Sequence, residues 1–432
     1  MNKKLQLPAR QALPASLLLM IAMAGCLSSA ARADPIYTLQ TVIPIPVTTA
    51  NTQAGGAFNS FDISFFDPVT RLDYVADRSN AAVDIISGAS LSVVGQATGF
   101  VGQRATTSIS GPDGVVAVTT GGVSTLYAGD GNSTLRIYNT TNPAAPVLLQ
   151  TIPTGGNFRV DEMAYSPAAQ QVLVANNADA PAFGTLINTN TPPGSNTIAH
   201  GNIVIPGASA TDGLEQPVWN PSTGTFFISV PTFGGGTDPG GVAEIKPDGT
   251  VGRLFRFATM GITSCSSTGL ALGSSGNLIV GCGNAGTQTI LLNPAANGGA
   301  GAIVTLFAQI AGSDEIWFDP VSGDFFVTGS NSAGQRVFDV INDASRTVLG
   351  SIVLPVANAS NPHSISVDPF NANVFIPLAA NTATVGGNTA CPLGCIAVYS
   401  LTAAAVPEPG TLLLLVAALS AVVFVRRRAF SA

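Results

Sequence analysis

The chain has 432 residues, of which 46% are hydrophobic and only 9% charged, with 47 Gly, 29 Pro and a net charge of −7. A nucleic-acid binder is excluded, because phosphate recognition needs clustered Lys and Arg, and the chain sets only 17 of these against 24 acids. The ordinary hydrophobic fraction excludes charge-driven disorder and the density of Gly and Pro excludes long helices, which leaves a β protein long enough for one large domain.

Residues 1–33 read as an address. Lys3, Lys4 and Arg10 are followed by an apolar stretch from Ala15 to Gly25, then by Ala31-Arg32-Ala33 before Asp34. A positive start, a short apolar run and a small-x-small site make a secretory signal peptide, with cleavage expected after Ala33. Met23-Ala24-Gly25-Cys26 offers a rival lipobox reading with Cys26 acylated, but Met23 is a poor first residue for one.

The chain then repeats itself. Segments starting at Asp62, Asp113, Asp161, Glu215, Thr268, Asp314 and His363 share one register; DISFFDPVTRLDYVAD from Asp62 and DEIWFDPVSGDFFVTG from Asp314 are examples. The period, about fifty residues, is that of a repeat architecture. Each unit alternates short apolar runs with Asp-Pro, Ser-Pro, Asn-Pro or Gly-rich turns, which is the pattern of hairpins. Four strands can be marked per unit, and in the second they are VVAVT, TLYAG, TLRIY and VLLQTI. Four antiparallel strands repeated around an axis predict an all-β protein, a seven-bladed β-propeller over 34–402. A stacked β-solenoid is disfavoured because its coils repeat at about 20–30 residues.

The seventh unit supplies only three strands, HSISV, NVFIP and CIAVYSL, whereas LQTVIP at 39–44 repeats the outer strand LQTIP at 149–153. The N-terminal strand is therefore expected to pair with 396–401 and close the ring, removing an open edge. The stretches YVADRSNAAVDIIS at 74–87, LYAGDGNSTLRIYNTTNPAAPVLLQTIPTGGN at 126–157 and VLVANN at 172–177 resemble the YVTN-type seven-bladed propellers, a family that includes lactonase-like proteins. The resemblance covers most of 36–401 and rests on strand and turn text rather than on chemistry.

In such propellers the first strand of each blade is innermost. The residues that open each unit, Asp62, Asp113, Asp161, Glu215, Thr268, Asp314 and His363, would therefore form a ring at one mouth of the central channel. Five carboxylates gathered there repel one another, and a cation would relieve them. Oxygen donors favour Ca²⁺ or Mg²⁺, with Asp62, Asp161, Glu215 and Asp314 as the expected ligands. The competing expectation is solvated polarity at a wet mouth, with Arg104, Arg159 and Arg253 between blades to pair with some of the acids. Glu162 and Glu315 would point to the opposite strand face. Trp219 and Trp317 read as blade core, and His200 as a surface loop residue. No G-x-S-x-G elbow and no Ca²⁺-loop pattern occurs, so no base–nucleophile pair is defined. Gly234-Gly235-Gly236 and Gly298-Gly299 read as flexible loops.

Of five Cys, Cys265, Cys282, Cys391 and Cys395 remain after signal cleavage. An even number in an exported chain points to disulfides, with three connectivities open. Cys265 just precedes an inner strand and Cys282 ends its antiparallel neighbour, so 265–282 is the expected pair, which leaves 391–395.

The C-terminus reads VPEPGTLLLLVAALSAVVFVRRRAF. Pro407-Glu408-Pro409, the apolar run from Leu412 to Val425 and Arg426-Arg427-Arg428 resemble the PEP-CTERM sorting signal of Gram-negative, exopolysaccharide-producing bacteria. The resemblance covers about the last 27 residues, within a segment 403–432 read as linker and sorting signal, with a short transmembrane helix held by the positive-inside rule before processing. It implies cleavage by an exosortase and display at the cell surface or in the matrix. The stretch 34–405 keeps 10 basic and 23 acidic residues, a net charge of −13 that disfavours anionic partners. The leading expectation is a surface or matrix-associated binding or scaffold module, with exopolysaccharide among its partners. The alternative is a metal-dependent, lactonase-like hydrolase using the carboxylate ring.

Overall fold

Six of the seven repeats each fold into one four-stranded antiparallel sheet, built in chain order from the axis outward, and the seventh completes its sheet with the N-terminal strand. The computed structural model describes residues 36–402 except 190–192, 235–237, 284–287, 357–361 and 386–387. The signal segment 1–33 and the sorting segment 403–432 therefore lie outside the described residues. In the first blade the strands are Ser64–Asp67, Leu72–Asp77, Ala82–Ser87 and Ser92–Thr98. Six units follow this plan, and each innermost strand packs on the next around a closed ring, the seventh meeting the first. The result is a seven-bladed β-propeller.

The turn leaving the innermost strand shows how the repeat text makes a blade. After Asp67, Asn220, Asp319 and Asp368 comes a proline, which presets φ. The side-chain oxygen of the Asp or Asn accepts a backbone N–H two residues on: from Val69 at 2.9 Å, Ser222 at 2.9 Å, Val321 at 3.0 Å and Phe370 at 2.9 Å. The chain then swings back through one left-handed residue. That residue is Gly224 (φ 66°) or Gly323 (φ 74°) in two blades, but Arg71 (58°), Gln170 (52°) and Ala372 (56°) in others.

The core is divided among the seven interfaces between blades. Second strands are buried along their whole length, as in Thr225–Val230 and Asn373–Leu378. Their successive side chains feed opposite neighbours: Phe226 packs toward the third blade and Phe227 toward the fifth. Phe325 and Phe326 divide likewise between the fifth and seventh. A strand buried on both faces reads as a continuous apolar run, which is why TFFISV and NVFIPL lack alternation.

Closure follows the expectation from the missing strand. Ile36–Pro44 pairs antiparallel with Cys395–Thr402, with Val42 opposite Ala397 and Ile43 opposite Ile396, and a register shift between Leu39 and Thr41. Both expected disulfides are present, Cys265–Cys282 and Cys391–Cys395. The first ties two strand ends where Ser267 faces Cys282 in the register. Two local readings are corrected. His200 is exposed but lies within the outer strand Thr197–Ile203 rather than in a loop. Gly298 and Gly299 belong to a tight turn over Ala296–Gly299 with φ of 68° and 96°, while Gly235 and Gly236 lie outside the described residues. No described helix is long and apolar enough to cross a membrane, and the run 412–425 lies outside the described residues.

Candidate functional site: the axial channel

Antiparallel pairing places the start of each innermost strand beside the end of the second strand. The residues preceding the inner strands therefore meet residues leaving the neighbouring ones. That is how Arg78, just past Leu72–Asp77, reaches the channel mouth. Its Nε donates to Asp113 at 2.7 Å, its Nη2 to Asp62 at 2.5 Å and to Asp113, and its Nη1 to the Phe61 carbonyl at 3.2 Å. Arg159 pairs with Asp161 at 2.7 Å and donates to Asn177 at 3.1 Å. His363 lies 3.4 Å from Asp62 and stacks on Phe61.

Six of the seven ring positions thus share one electrostatic cluster. Burial pushes the Asp62 carboxyl up, but Arg78, the His363 hydrogen bond and Arg159 outweigh it and hold the group below the ordinary carboxylate range. Burial raises Asp161 to about 7 despite Arg159. Glu215 is raised well above its usual value by burial and by the charges of Asp161 and Asp314. Burial also raises Asp314, against the pull of His363. Thr268 differs, donating its hydroxyl to the Ser313 carbonyl of the next blade.

Of the four expected cation ligands, Asp62 and Asp161 are paired with arginines, while Glu215 and Asp314 face each other's field. Among the described residues no group of three His, Cys, Asp or Glu side chains is disposed to hold a metal ion. Of the arginines expected to pair with the ring, Arg159 does. Arg104 is exposed, and Arg253 binds Glu244 at 2.8 Å within the fourth blade. Arg78, the centre of the network, is absent from the sequence expectation. The signal for it is register: a charged residue immediately after a second strand lies at the same end as the ring.

One residue further along, the inner strands carry long polar side chains in three blades: Glu162, Gln216 and Glu315. From the fourth blade, Gln216 Oε1 accepts the backbone N–H of Leu270 at 2.6 Å and of Ile316 at 3.1 Å. From the sixth, Glu315 accepts N–H groups of Ser64 and Ile365, each at 3.2 Å, and the Ser364 hydroxyl. Each of these two side chains therefore satisfies inner-strand groups of two other blades. Burial nonetheless raises Glu315 to about 8. Glu162 is only 2% exposed, and neither of its oxygens has a hydrogen-bond partner. The first, second and fifth blades carry Ile63, Gly114 and Gly269 here. A Cβ at Gly114 would lie 2.0 Å from the Asp161 carbonyl oxygen, so the close approach of the inner strands requires glycine.

Beyond this polar layer the channel widens into a cavity of about 450 Å³. Glu162, Gln216 and Glu315 lie at its inner end; Phe65, Tyr165, Trp219, Trp317 and Phe318 line its wall. Trp219 packs on Phe226 at 4.8 Å and Trp317 on Phe65 at 5.5 Å between ring centroids. The tryptophans are therefore only partly blade core: both are half-buried and border the cavity. They are also one step apart in register, Trp219 facing Phe226 and Trp317 facing Phe326.

No protein-family model and no curated protein matches the chain. The propeller itself is widely shared, since 1029 chains of solved structures match it. One, from a crystal structure of the mitotic checkpoint complex, is 14% identical with a TM-score of 0.54 and covers 93% of this chain and 100% of its own. Raptor of Chaetomium thermophilum is 12% identical with a TM-score of 0.57, over 94% of this chain but 34% of its own. Hydrazine synthase of Kuenenia stuttgartiensis is 13% identical with a TM-score of 0.57, over 83% of this chain and 99% of its own. At these identities the likeness is one of fold alone. Fold and site together define a seven-bladed β-propeller whose channel is charged and internally paired at one end and aromatic at the other.

Proposed function

We propose that the chain is an exported β-propeller that acts outside the cell as a binding or scaffold module, with exopolysaccharide as its partner, after processing by an exosortase-type enzyme at Pro407-Glu408-Pro409. The observation that carries this reading is the internal pairing of the ring. With Asp62, Asp113 and Asp161 held by Arg78 and Arg159, the acids serve as a structural network across blades. Two disulfides suit an oxidising compartment, and the −13 charge of 34–405 suits a soluble extracellular domain. The alternative, a metal-dependent lactonase-like hydrolase, draws on Glu215 and Asp314, which no arginine in the network neutralises by direct contact. The exported protein should be retarded in native gels containing the polysaccharide of the producing cells, and should open simple lactones no faster with Ca²⁺ or Mg²⁺ than with chelator. Cation-dependent lactone opening that is lost in Asp314→Asn would replace the binding reading with the enzymatic one.

A further inference from the structure

The cavity at the aromatic end of the channel contains an anomaly. Three equivalent positions carry long polar side chains, and two of them hydrogen-bond across the channel, Gln216 through both its oxygen and its amide nitrogen and Glu315 through Oε2. The third, Glu162, is 2% exposed, lines the cavity and has no partner on either oxygen. A buried carboxyl with no partner is costly, and natural sequences seldom keep one without a role. The charges that act on it come from Glu215, Asp314, Asp161 and Glu315, all acidic. That field repels anions and favours a cation.

The wall above it is aromatic, and the faces of Phe65, Tyr165, Trp219, Trp317 and Phe318 attract cations through their quadrupoles. Trp219, half-buried on the same wall, has its indole N–H unpartnered as well. At about 450 Å³ the cavity falls within the range of small-molecule sites. We propose that the cavity is a binding site for a small organic ammonium with an apolar body, its charge placed against Glu162 and its body against Trp219 and Trp317. This reading rests on the cavity alone and not on export or polysaccharide binding, so either can fail without the other.

Both of the chain's tryptophans border the cavity, so intrinsic fluorescence reports its occupancy directly. Phenethylamine added to the exported protein should change tryptophan emission saturably. Its uncharged isostere phenethyl alcohol should bind at least about tenfold more weakly, the worth of roughly one charge contact, and glucosamine, a cation without an apolar body, more weakly than phenethylamine. Glu162→Gln keeps the shape and removes the charge, so it should bring the amine down to the affinity of the alcohol without lowering stability. If that variant fails to fold, the parent protein still decides. Burial together with the surrounding acids raises Glu162 well above the usual carboxyl range, so binding an ammonium must release its proton. Amine affinity should therefore rise as pH is raised above the ordinary carboxyl range, while that of the alcohol stays level. Equal binding of amine and alcohol by the parent, a preference for glucosamine, an amine preference that survives Glu162→Gln, or no saturable emission change would overturn the proposal.

Discussion

Replacing Arg78 with Met tests whether the ring is held by its own arginines. The guanidinium is nearly inaccessible, with its side chain 5% exposed, and it touches two acids whose side chains are 9% and 0% exposed. Methionine matches the stem and leaves Asp62 and Asp113 buried without their donor. Removing one partner of a buried pair costs about 3–5 kcal/mol. The lower end is expected here, because Arg159 also lies within the field of both acids. The loss should depend on pH in a definite direction. In the parent, Asp62 sits below its unfolded value, so its stabilisation is present above the unfolded pKa and fades as pH falls through the folded one. Burial already raises Asp113 in the parent; in the variant Asp62 too must take up a proton to stay buried, so stability falls as pH rises above the unfolded carboxylate value of about 3.9. The deficit should therefore be largest near neutrality and shrink toward pH 4. Urea unfolding of parent and variant at about pH 7 and pH 4.5 measures both quantities. A loss below about 1 kcal/mol at neutrality, or a deficit that grows in acid, would mean that the acids rely on water or a cation rather than on Arg78.

Other consequences of the fold can be checked by the same unfolding measurement. Gly323, at φ 74° with open space where a Cβ would go, should lose about 1–2 kcal/mol on replacement by Ala; Ala372→Gly, at the equivalent turn with φ 56°, should be neutral or gain up to about 1 kcal/mol. Equal signs for the two would remove the left-handed turn as the cause. Replacing Cys265 and Cys282 together by Ser should cost about 2–4 kcal/mol, and the difference from the parent should vanish under full reduction. Deleting 36–46 removes the strand paired with Cys395–Thr402 and uncovers an edge; soluble yield should collapse, and a deletion that melts like the parent would refute closure by the N-terminal strand.

Blade number, closure and the Cys265–Cys282 pair were legible in the sequence because each depends on register. A repeat with a fixed period fixes where every inner strand begins, and therefore which residues face the axis. The missing fourth strand of the last unit could be recognised at the other terminus because LQTVIP and LQTIP are nearly the same text. What register does not carry is partnership. The inner strands of Asp62 and Asp113 carry no donor for them, since their donor, Arg78, arrives from a second strand and has no counterpart in the other units: the same place holds Gly131 in the second blade and Asn177 in the third. Trp219 and Trp317 follow Glu215 and Asp314 by different spacings, so pairing places them one residue apart in register, and that each straddles core and cavity is seen only in the fold.

Glu162 shows the limit most clearly. Alone it is one acid beside another in DEMAY, just as Glu315 is in DEIWF. The difference lies in what the following blades offer. Two blades on from Glu315, Ser64 presents an N–H, and the adjacent blade presents Ser364 and Ile365. Along the ring from Glu162, the adjacent blade presents Gln216, whose oxygen is already taken by Leu270 and Ile316. The same side chain in the same register is therefore hydrogen-bonded across blades in one sector and orphaned in another. Its chemistry is decided by neighbours roughly one and two repeats away, which makes the channel asymmetric despite the sevenfold plan and leaves Glu162, unlike Glu315, without a partner at the inner end of the aromatic cavity.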